Sequence, residues 1–302
     1  METVPVSKPI ALKNILFLTD FSGPSAMALP YAAMIARAYG AKVTALHIVA
    51  PSAYTYMTSD MSATLLDAQE DAAKTEMRRV EAEFAGLPRE TMIERNVAVW
   101  PALSKILQKG EIDLIVLGTH GRTGIGRILL GSVAEEILRK APCPVLTVGP
   151  HVMTDPDQAA AMKEILYATE LATDAPATAP YAISLAQENQ ARLALLYVID
   201  TRKTPEVAIP TELANTKLHK LQKLVSEEAE LWCEPRYIVE QGIPAEKILQ
   251  SANALGADLI VLGAQPATWM ITHLNAGTVH KVVAGAKCPV LTVHSGGPTK
   301  RT

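Results

Sequence analysis

The feature that most constrains this chain is an internal repeat. The hexapeptide Asp-Leu-Ile-Val-Leu-Gly occurs at residues 113–118 and again at 258–263, and Cys-Pro-Val-Leu-Thr-Val occurs at 143–148 and again at 288–293. Both second copies lie 145 residues after the first, so the sequence between them aligns without a gap. Self-similarity at a fixed period is typical of a duplicated structural unit. We therefore expect two copies of one fold.

The beginnings of the two copies also correspond. Asn-Ile-Leu-Phe-Leu-Thr-Asp-Phe-Ser at 14–22 matches Glu-Ile-Leu-Tyr-Ala-Thr-Glu-Leu-Ala at 164–172, with an offset of 150 residues. The chain has 302 residues, which leaves about 150 for each copy, the length of an ordinary domain. We predict domains at residues 1–149 and 163–302, joined by a linker at 150–162.

Each copy alternates short apolar runs with helical segments. Ile-Leu-Phe-Leu-Thr-Asp suits a buried strand, and the alanine-rich segment 25–39 before Gly40 suits a helix with a glycine stop. Between the repeated motifs we predict the following elements: an irregular segment at 51–64, a strand at 91–99, and helices at 65–85, 102–108 and 132–140. Apolar strands separated by helices indicate a parallel sheet covered on both faces. The predicted fold class is therefore α/β, with two tandem open-twisted parallel-sheet domains.

Composition argues against several classes of protein. The formal net charge is −3 and no Lys/Arg-rich run occurs, so no nucleic-acid partner is expected. No apolar run reaches the roughly 18 residues of a membrane span, and the first residues do not resemble a signal peptide. The three cysteines form no Cys-x-x-Cys pair, which argues against a disulfide framework or a zinc site. We expect a cytoplasmic protein without a membrane partner.

The chemistry of the chain is expected just after the first Asp-Leu-Ile-Val-Leu-Gly strand. That segment contains Gly118, Gly121 and Gly131, then Ser132, and it leads into a helix. In an open parallel sheet, ligands bind beyond the carboxyl ends of the strands. Glycine lets backbone N–H groups approach a ligand, and a helix N-terminus adds unpaired donors. Ser132 can cap that helix or give its hydroxyl to a phosphate. The spacing fits neither the Gly-Lys-Ser/Thr phosphate loop nor a dinucleotide fingerprint.

The order Gly, two residues, Gly, nine residues, Gly, Ser resembles the ATP signature of the universal stress protein family. The flanking segments Gly-Thr-His-Gly-Arg, Leu-Leu-Gly-Ser-Val-Ala-Glu-Glu-Ile-Leu and Ala-Pro-Cys-Pro-Val-Leu-Thr-Val are also similar to that family. Because the resemblance covers both copies, the chain is identified as a tandem member. This implies an adenine nucleotide alpha-hydrolase-like, Rossmann-like fold in each domain. It also implies ATP as the ligand, with Mg²⁺ on the phosphates as a further candidate.

The resemblance assigns roles to particular residues. Asp20 is expected to contact the ribose, and Ile48 to offer backbone groups to the adenine edge. Leu18 and Leu117 would pack near the base. The phosphates would be surrounded by a further group of residues: Gly118, Gly121, Gly131, Ser132 and Val133. From the residues alone, two alternatives stay open, namely that Asp20 caps the first helix and that the glycines are ordinary turn residues. A structural role is expected for His47.

The second copy departs from the signature. The ungapped alignment gives these replacements: Pro266 for Gly121, Ala276 for Gly131, Gly277 for Ser132 and Glu170 for Asp20. Proline removes an amide donor where the loop should surround phosphate. A shift of one residue would offer Gly277-Thr278 as a substitute Gly-Ser pair. We predict an ATP site in the first domain and a degenerate motif in the second.

Three functions remain open. The first is a nucleotide-dependent stress-response switch or sensor, in which ATP orders residues 118–132 and 51–64 for an unknown protein partner. The second is a slow ATPase, although no base to position water and no loop lysine is evident, so enzymatic activity stays undecided. The third is an assembly module that needs no nucleotide. The resemblance also implies that strands 144–148 and 289–293 pair antiparallel within one chain as a pseudo-dimer, and that two chains form a homodimer.

Overall fold

The computed structural model describes residues 10–50, 59–119, 130–152, 162–171, 175–202, 211–264 and 277–294. The chain divides into two compact units, one containing Leu12–Val148 and the other containing the described residues from Gly149 onward. Among the described residues, no helix is both long and apolar enough to cross a membrane.

The N-terminal unit alternates strands and helices. Its elements are β1 (Asn14–Leu18), α1 (Gly23–Tyr39), β2 (Lys42–Val49), α2 (Ser59–Glu83), β3 (Arg89–Arg95), α3 (Val99–Leu107), β4 (Leu114–Gly118), α4 (Ser132–Lys140) and β5 (Val145–Val148). The five strands are parallel and lie in the order β3-β2-β1-β4-β5. From β1 the chain builds the sheet outward to β3 and then returns to the other side of β1. The topological switch point therefore lies between β1 and β4.

The C-terminal unit repeats this arrangement. Its elements are β6 (Glu164–Ala168), α5 (Ala175–Asn189), β7 (Arg192–Asp200), α6 (Thr211–Gln222), α7 (Glu227–Cys233), β8 (Arg236–Gly242), α8 (Pro244–Leu255), β9 (Leu259–Ala264), α9 (Thr278–Gly285) and β10 (Val290–His294). The strand order β8-β7-β6-β9-β10 is again parallel. The predicted α/β class with two parallel-sheet copies is confirmed. The pseudo-dimer and the boundaries of the linker stay predictions.

The repeated aspartate of the hexapeptide has a structural reason. Asp113 Oδ2 accepts the backbone N–H groups of Lys13 at 2.8 Å and Asn14 at 3.0 Å, at the start of β1. In the C-terminal unit, Asp258 Oδ2 accepts the N–H groups of two residues at the start of β6, at 2.8 and 3.0 Å. One carboxylate oxygen thus aligns two neighbouring parallel strands in each copy.

Some predicted boundaries were wrong. α2 begins at Ser59, so residues 59–64, which we expected to be irregular, are helical; residues 51–58 lie outside the described part of the chain. β3 ends at Arg95 rather than at residue 99, and α3 begins at Val99. Pro101 does not prevent this earlier start. It lies in the first turn of α3, where a missing N–H costs no helical hydrogen bond.

Candidate functional site

The predicted base-side residues share one face of the N-terminal sheet. Leu18 on β1 lies opposite both Leu46 on β2 and Leu117 on β4. Directly opposed residues of parallel strands share a face, as do residues two apart on one strand, so Ile48 lies on this face too. The side chains of Leu18, Ile48 and Leu117 are buried. The structure therefore brings these three residues together at the carboxyl edge of the sheet.

Asp20 follows β1 in the turn that leads into α1. Its Oδ1 accepts the backbone N–H of Ser22 at 3.0 Å and also the Ser22 hydroxyl. Ser22 is itself the N-cap of α1, and its side chain accepts the N–H of Ser25. The alternative that Asp20 caps α1 is therefore wrong. Asp20 instead holds the capping serine, and its half-buried carboxylate lies beside the switch point.

The turn that carries Asp20 has an uncommon backbone. Phe21 has φ +60°, a left-handed conformation that is rare for a bulky side chain and costs about 1–3 kcal/mol unless its surroundings hold it. The Thr19 hydroxyl accepts the N–H of Phe21 at 3.0 Å and lies 3.1 Å from the Ser25 hydroxyl. These contacts fix the turn to the start of α1.

A histidine from β2 supports the same turn. His47 Nδ1 lies 2.8 Å from the carbonyl oxygen of Thr19, and its ring centroid is 4.3 Å from that of Phe21. The two rings are tilted by 32° relative to each other and lie in contact. The structural role expected of His47 is thus to brace the Asp20 turn. From the sequence, this role could be anticipated only from the place of His47 on the second strand, one residue after Leu46, which lies opposite Leu18.

Gly118 has a packing role that the sequence did not reveal. A Cβ built on residue 118 would lie 2.6 Å from the carbonyl carbon and oxygen of Pro24 and 2.8 Å from the backbone nitrogen of Ser25. These are backbone atoms and cannot move aside as the end of a flexible side chain could. The first turn of α1 can therefore lie against the end of β4 because residue 118 has no side chain.

The N-cap of the helix that follows the glycine segment is a residue without a side chain. Gly131 is the N-cap of α4, with φ −61°, and it makes no side-chain cap hydrogen bond. Its N–H donates to Thr119 O at 2.8 Å and its carbonyl accepts the N–H of Glu135 at 2.9 Å. The expectation that Ser132 caps the helix was wrong, because Ser132 is the first helical residue. Its side chain is exposed, as is that of Val133.

The two ends of the glycine segment are drawn together. Thr119 N–H donates to Val148 O at 3.0 Å, and Thr119 O accepts from Gly131, so α4 begins beside the end of β4. The N–H of Gly131 is thereby engaged within the protein in this structure. Gly121 and the rest of residues 120–129 lie outside the described part of the chain. Among the described residues, no group of three His, Cys, Asp or Glu side chains could hold a metal ion.

The second copy keeps the helix start but one residue later. Gly277 is the N-cap of α9, with φ −59° and no side-chain cap hydrogen bond, and α9 begins at Thr278. The structural counterpart of Gly131-Ser132 is therefore Gly277-Thr278, not the Ala276-Gly277 of the ungapped alignment. The β6–α5 turn is also repeated, since Leu171 has φ +55° and donates its N–H to Thr169 Oγ1 at 3.1 Å. Pro266 and Ala276 lie outside the described residues.

The fold and the site define a class of protein: a duplicated, doubly wound α/β domain with a candidate anion site at its topological switch point. The sequence profile of the universal stress protein family matches residues 11–149 and 162–294. The chain therefore belongs to the universal stress protein family, as a tandem member with two such domains.

Known relatives support this membership over one domain and over the whole chain. A universal stress protein of Methanocaldococcus jannaschii is 34% identical over 140 residues, which are 45% of this chain and 81% of that protein. A universal stress protein of Mycolicibacterium smegmatis is 26% identical over 297 residues, covering 93% of this chain and 96% of the relative. The crystal structure of a universal stress protein from Archaeoglobus fulgidus has a TM-score of 0.70 at 18% identity, covering 95% of this chain and 97% of its own. That structure shares the fold.

Proposed function

We propose that the N-terminal domain binds ATP at its switch point and that the protein acts as a nucleotide-dependent stress-response switch or sensor. The observation that supports this most strongly is the uncapped start of α4 beside the Asp20 turn. These two features lie at the ends of the adjacent strands β4 and β1. A ligand with a negative group at one end and hydroxyl groups at the other suits this pair.

The phosphates belong at α4. The first N–H groups of a helix have no intrahelical partner, and the helix dipole adds a partial positive charge there. Because the N-cap residue Gly131 has no side chain, it provides no capping acceptor for these donors. The exposed hydroxyl of Ser132 adds a donor at the same place. Phosphate oxygens are suited to such a helix N-terminus.

The nucleoside belongs at the ends of β1 and β2. Asp20 is fixed by Ser22 and offers a carboxylate acceptor for ribose hydroxyl groups. Ile48 lies near the end of β2, where its backbone groups would face the adenine edge, with Leu18 and Leu117 on the same face of the sheet. This placement supports a nucleoside triphosphate over a simple phosphate, since it adds recognition of the sugar and base.

Mg²⁺ would be carried by the phosphates. The described residues provide no cluster of metal-binding side chains, so in this proposal the ion has its main ligands on the nucleotide. The same proposal includes a cytoplasmic location, a homodimer and a protein partner that distinguishes the bound from the free state. Such a switch requires that ATP bind one state of the protein more tightly than the other.

A matched pair of variants tests the site. Gly131→Glu and Gly277→Glu each place a carboxylate at the N-cap of equivalent helices, whose cap φ angles are −61° and −59°. Glutamate can adopt both backbone conformations, so the two substitutions should perturb folding to a similar extent. Displacement of a fluorescent ATP analogue from nucleotide-stripped protein measures binding.

We expect Gly131→Glu to weaken ATP binding by more than about tenfold, equivalent to about 1.4 kcal/mol, while Gly277→Glu binds like the wild type. Circular dichroism confirms that both variants are folded. If Gly131→Glu binds ATP normally, or if both variants lose binding equally, the proposed location of the site is wrong.

A further inference from the structure

We propose that His47 is a positioning residue that couples the ribose side of the nucleotide site to the base side. This inference rests on the proposed function, because it concerns the geometry of that ATP site. His47 immediately precedes Ile48, the expected adenine contact, and bonds to Thr19, which immediately precedes Asp20, the expected ribose contact. One imidazole therefore joins the two segments of chain that would hold the nucleoside.

The hydrogen bond to Thr19 determines that Nδ1 of the His47 ring carries a hydrogen. A backbone carbonyl oxygen can only accept, so the Thr19 carbonyl requires that His47 Nδ1 carry the hydrogen. A neutral His47 is consequently the Nδ1–H tautomer, with the proton assigned from its partner. This bond runs from β2 to the residue just beyond β1, and it continues the ladder in which Thr19 N–H donates to Leu46 O at 3.0 Å. Both backbone polar groups of Thr19, just beyond β1, are thus bonded to β2.

The ring also restrains the strained residue. Phe21 stands at φ +60°, and its ring lies against His47 at 4.3 Å between centroids. Asp20 lies between the two residues that His47 contacts, Thr19 and Phe21. A change in the backbone at Asp20 would have to break at least one of these contacts, whereas the carboxylate itself is held by the N–H and hydroxyl of Ser22.

The C-terminal unit shows that the turn itself does not need a histidine. There the turn keeps a left-handed residue, Leu171, and the threonine hydroxyl contact from Thr169. Tyr197 occupies the position of His47 in that unit, and its ring faces the ammonium of Lys217 at 4.7 Å. The turn therefore forms in that unit without a histidine at this position. The added histidine is a feature of the copy that retains the full ATP signature, which favours a role in ligand positioning over a role in folding.

The tautomer can be tested without any nucleotide. Long-range ¹H–¹⁵N correlation spectra of the imidazole rings distinguish the Nδ1–H and Nε2–H forms in neutral histidine. We expect the His47 signal, assigned by its loss in His47→Phe, to show the Nδ1–H form. An Nε2–H tautomer would contradict the hydrogen bond and overturn the inference.

Two variants separate the hydrogen bond from the ring contact. His47→Asn places an amide donor near the position of Nδ1 but removes the ring, whereas His47→Phe keeps a ring beside Phe21 and removes the donor. We expect His47→Phe to weaken Mg-ATP binding about tenfold, the effect of losing one well-placed hydrogen bond, and His47→Asn to recover most of that loss. Tyr197→Phe is the control in the second copy and should leave affinity unchanged.

A double-mutant cycle with Asp20→Asn shows whether His47 acts through Asp20. If it does, the loss in the double variant is clearly smaller than the product of the two single losses. Additive losses, or a lower melting temperature of His47→Phe with unchanged affinity, would show a purely structural role and overturn the inference. If the wild type itself binds no ATP, the proposed function fails, and this inference fails with it. If the wild type binds ATP and His47→Phe binds it with the same affinity, this inference fails while the proposed function stands.

Discussion

Gly118 lies so close to Pro24 that a Cβ on residue 118 would be 2.6 Å from the carbonyl carbon of Pro24. The last residue of β4 and the first turn of α1 are therefore in direct backbone contact. This contact sets the distance between β4 and the helix that follows the Asp20 turn, and so it shapes the switch point from within the fold.

Substitution of Gly118 by alanine should destabilise the N-terminal domain. Relieving the contact requires that α1 or β4 shift, and overpacking of this kind costs about 1–3 kcal/mol. Gly23→Ala is the matched control, since a Cβ there would meet no atom within 4 Å. Urea unfolding should show a clear loss for Gly118→Ala and a change within about 0.5 kcal/mol for Gly23→Ala. Equal stability of the two variants would refute the packing role.

The two strand-aligning aspartates should make similar contributions to stability. Asp113→Ala and Asp258→Ala each leave two backbone N–H groups without their carboxylate acceptor. Because one of each pair is solvent-exposed, we expect a loss of about 1–2 kcal/mol in the unfolding free energy of the domain concerned. Asp113→Asn retains an acceptor oxygen and should lose less. Chemical denaturation followed separately for each domain checks this, and an alanine variant as stable as the wild type would contradict it.

The three cysteines should be unreactive in the folded protein. Cys143, Cys233 and Cys288 are free and buried. Burial raises the pKa of Cys143 and Cys288 to about 12 and that of Cys233 to about 11, from an ordinary value of 9.0. Since the thiolate is the reactive form, a thiol reagent at pH 8 should modify all three only after unfolding. Rapid modification of the native protein would contradict their burial.

The same thiols predict a loss of stability in alkali. The folded chain keeps these protons until about pH 11–12, whereas thiols of the unfolded chain ionise near pH 9. The unfolded state therefore binds fewer protons in this window, and the unfolding free energy falls as pH rises from about 9 to 12. Below pH 9 the contribution is complete. Replacing Cys143 with alanine should reduce this slope, as measured by denaturation at several pH values.

Much of the fold could be predicted because the same strand motifs occur in both copies of the repeat. The two Asp-Leu-Ile-Val-Leu-Gly motifs became β4 and β9, and Gly40 ends α1 with φ +61° as a glycine stop should. Elements without a strong apolar run were less certain. Residues 59–64, at the start of α2, lack the helical spacing of charges seen in residues 65–85, and we therefore expected them to be irregular.

The site was only partly predictable, because spacing identifies glycines but not what each one does. Gly118 turned out to contact Pro24, and the N–H of Gly131 is used by Thr119. Nothing in the composition indicates that Phe21 adopts a left-handed conformation or that His47 packs against it. These features depend on contacts between strands that are distant in sequence.

The second copy illustrates a different difficulty. The ungapped repeat conceals the one-residue shift that puts Gly277, and not Ala276, at the helix N-cap. The tripeptides Gly131-Ser132-Val133 and Gly277-Thr278-Val279 carried that signal in the sequence. The one-residue shift that we left open as an alternative is the correct alignment here, because α9 is one residue shorter than α4.

The measurement that tests the central claim most directly is the stoichiometry of ATP on the nucleotide-stripped wild-type chain. Titration calorimetry with Mg-ATP gives the number of sites for each chain together with the affinity. We predict one site per chain, because the first domain alone combines the full glycine spacing with Asp20. Two sites would show that Gly277-Thr278 serves as a working counterpart. The absence of binding by folded protein would contradict the nucleotide-dependent function.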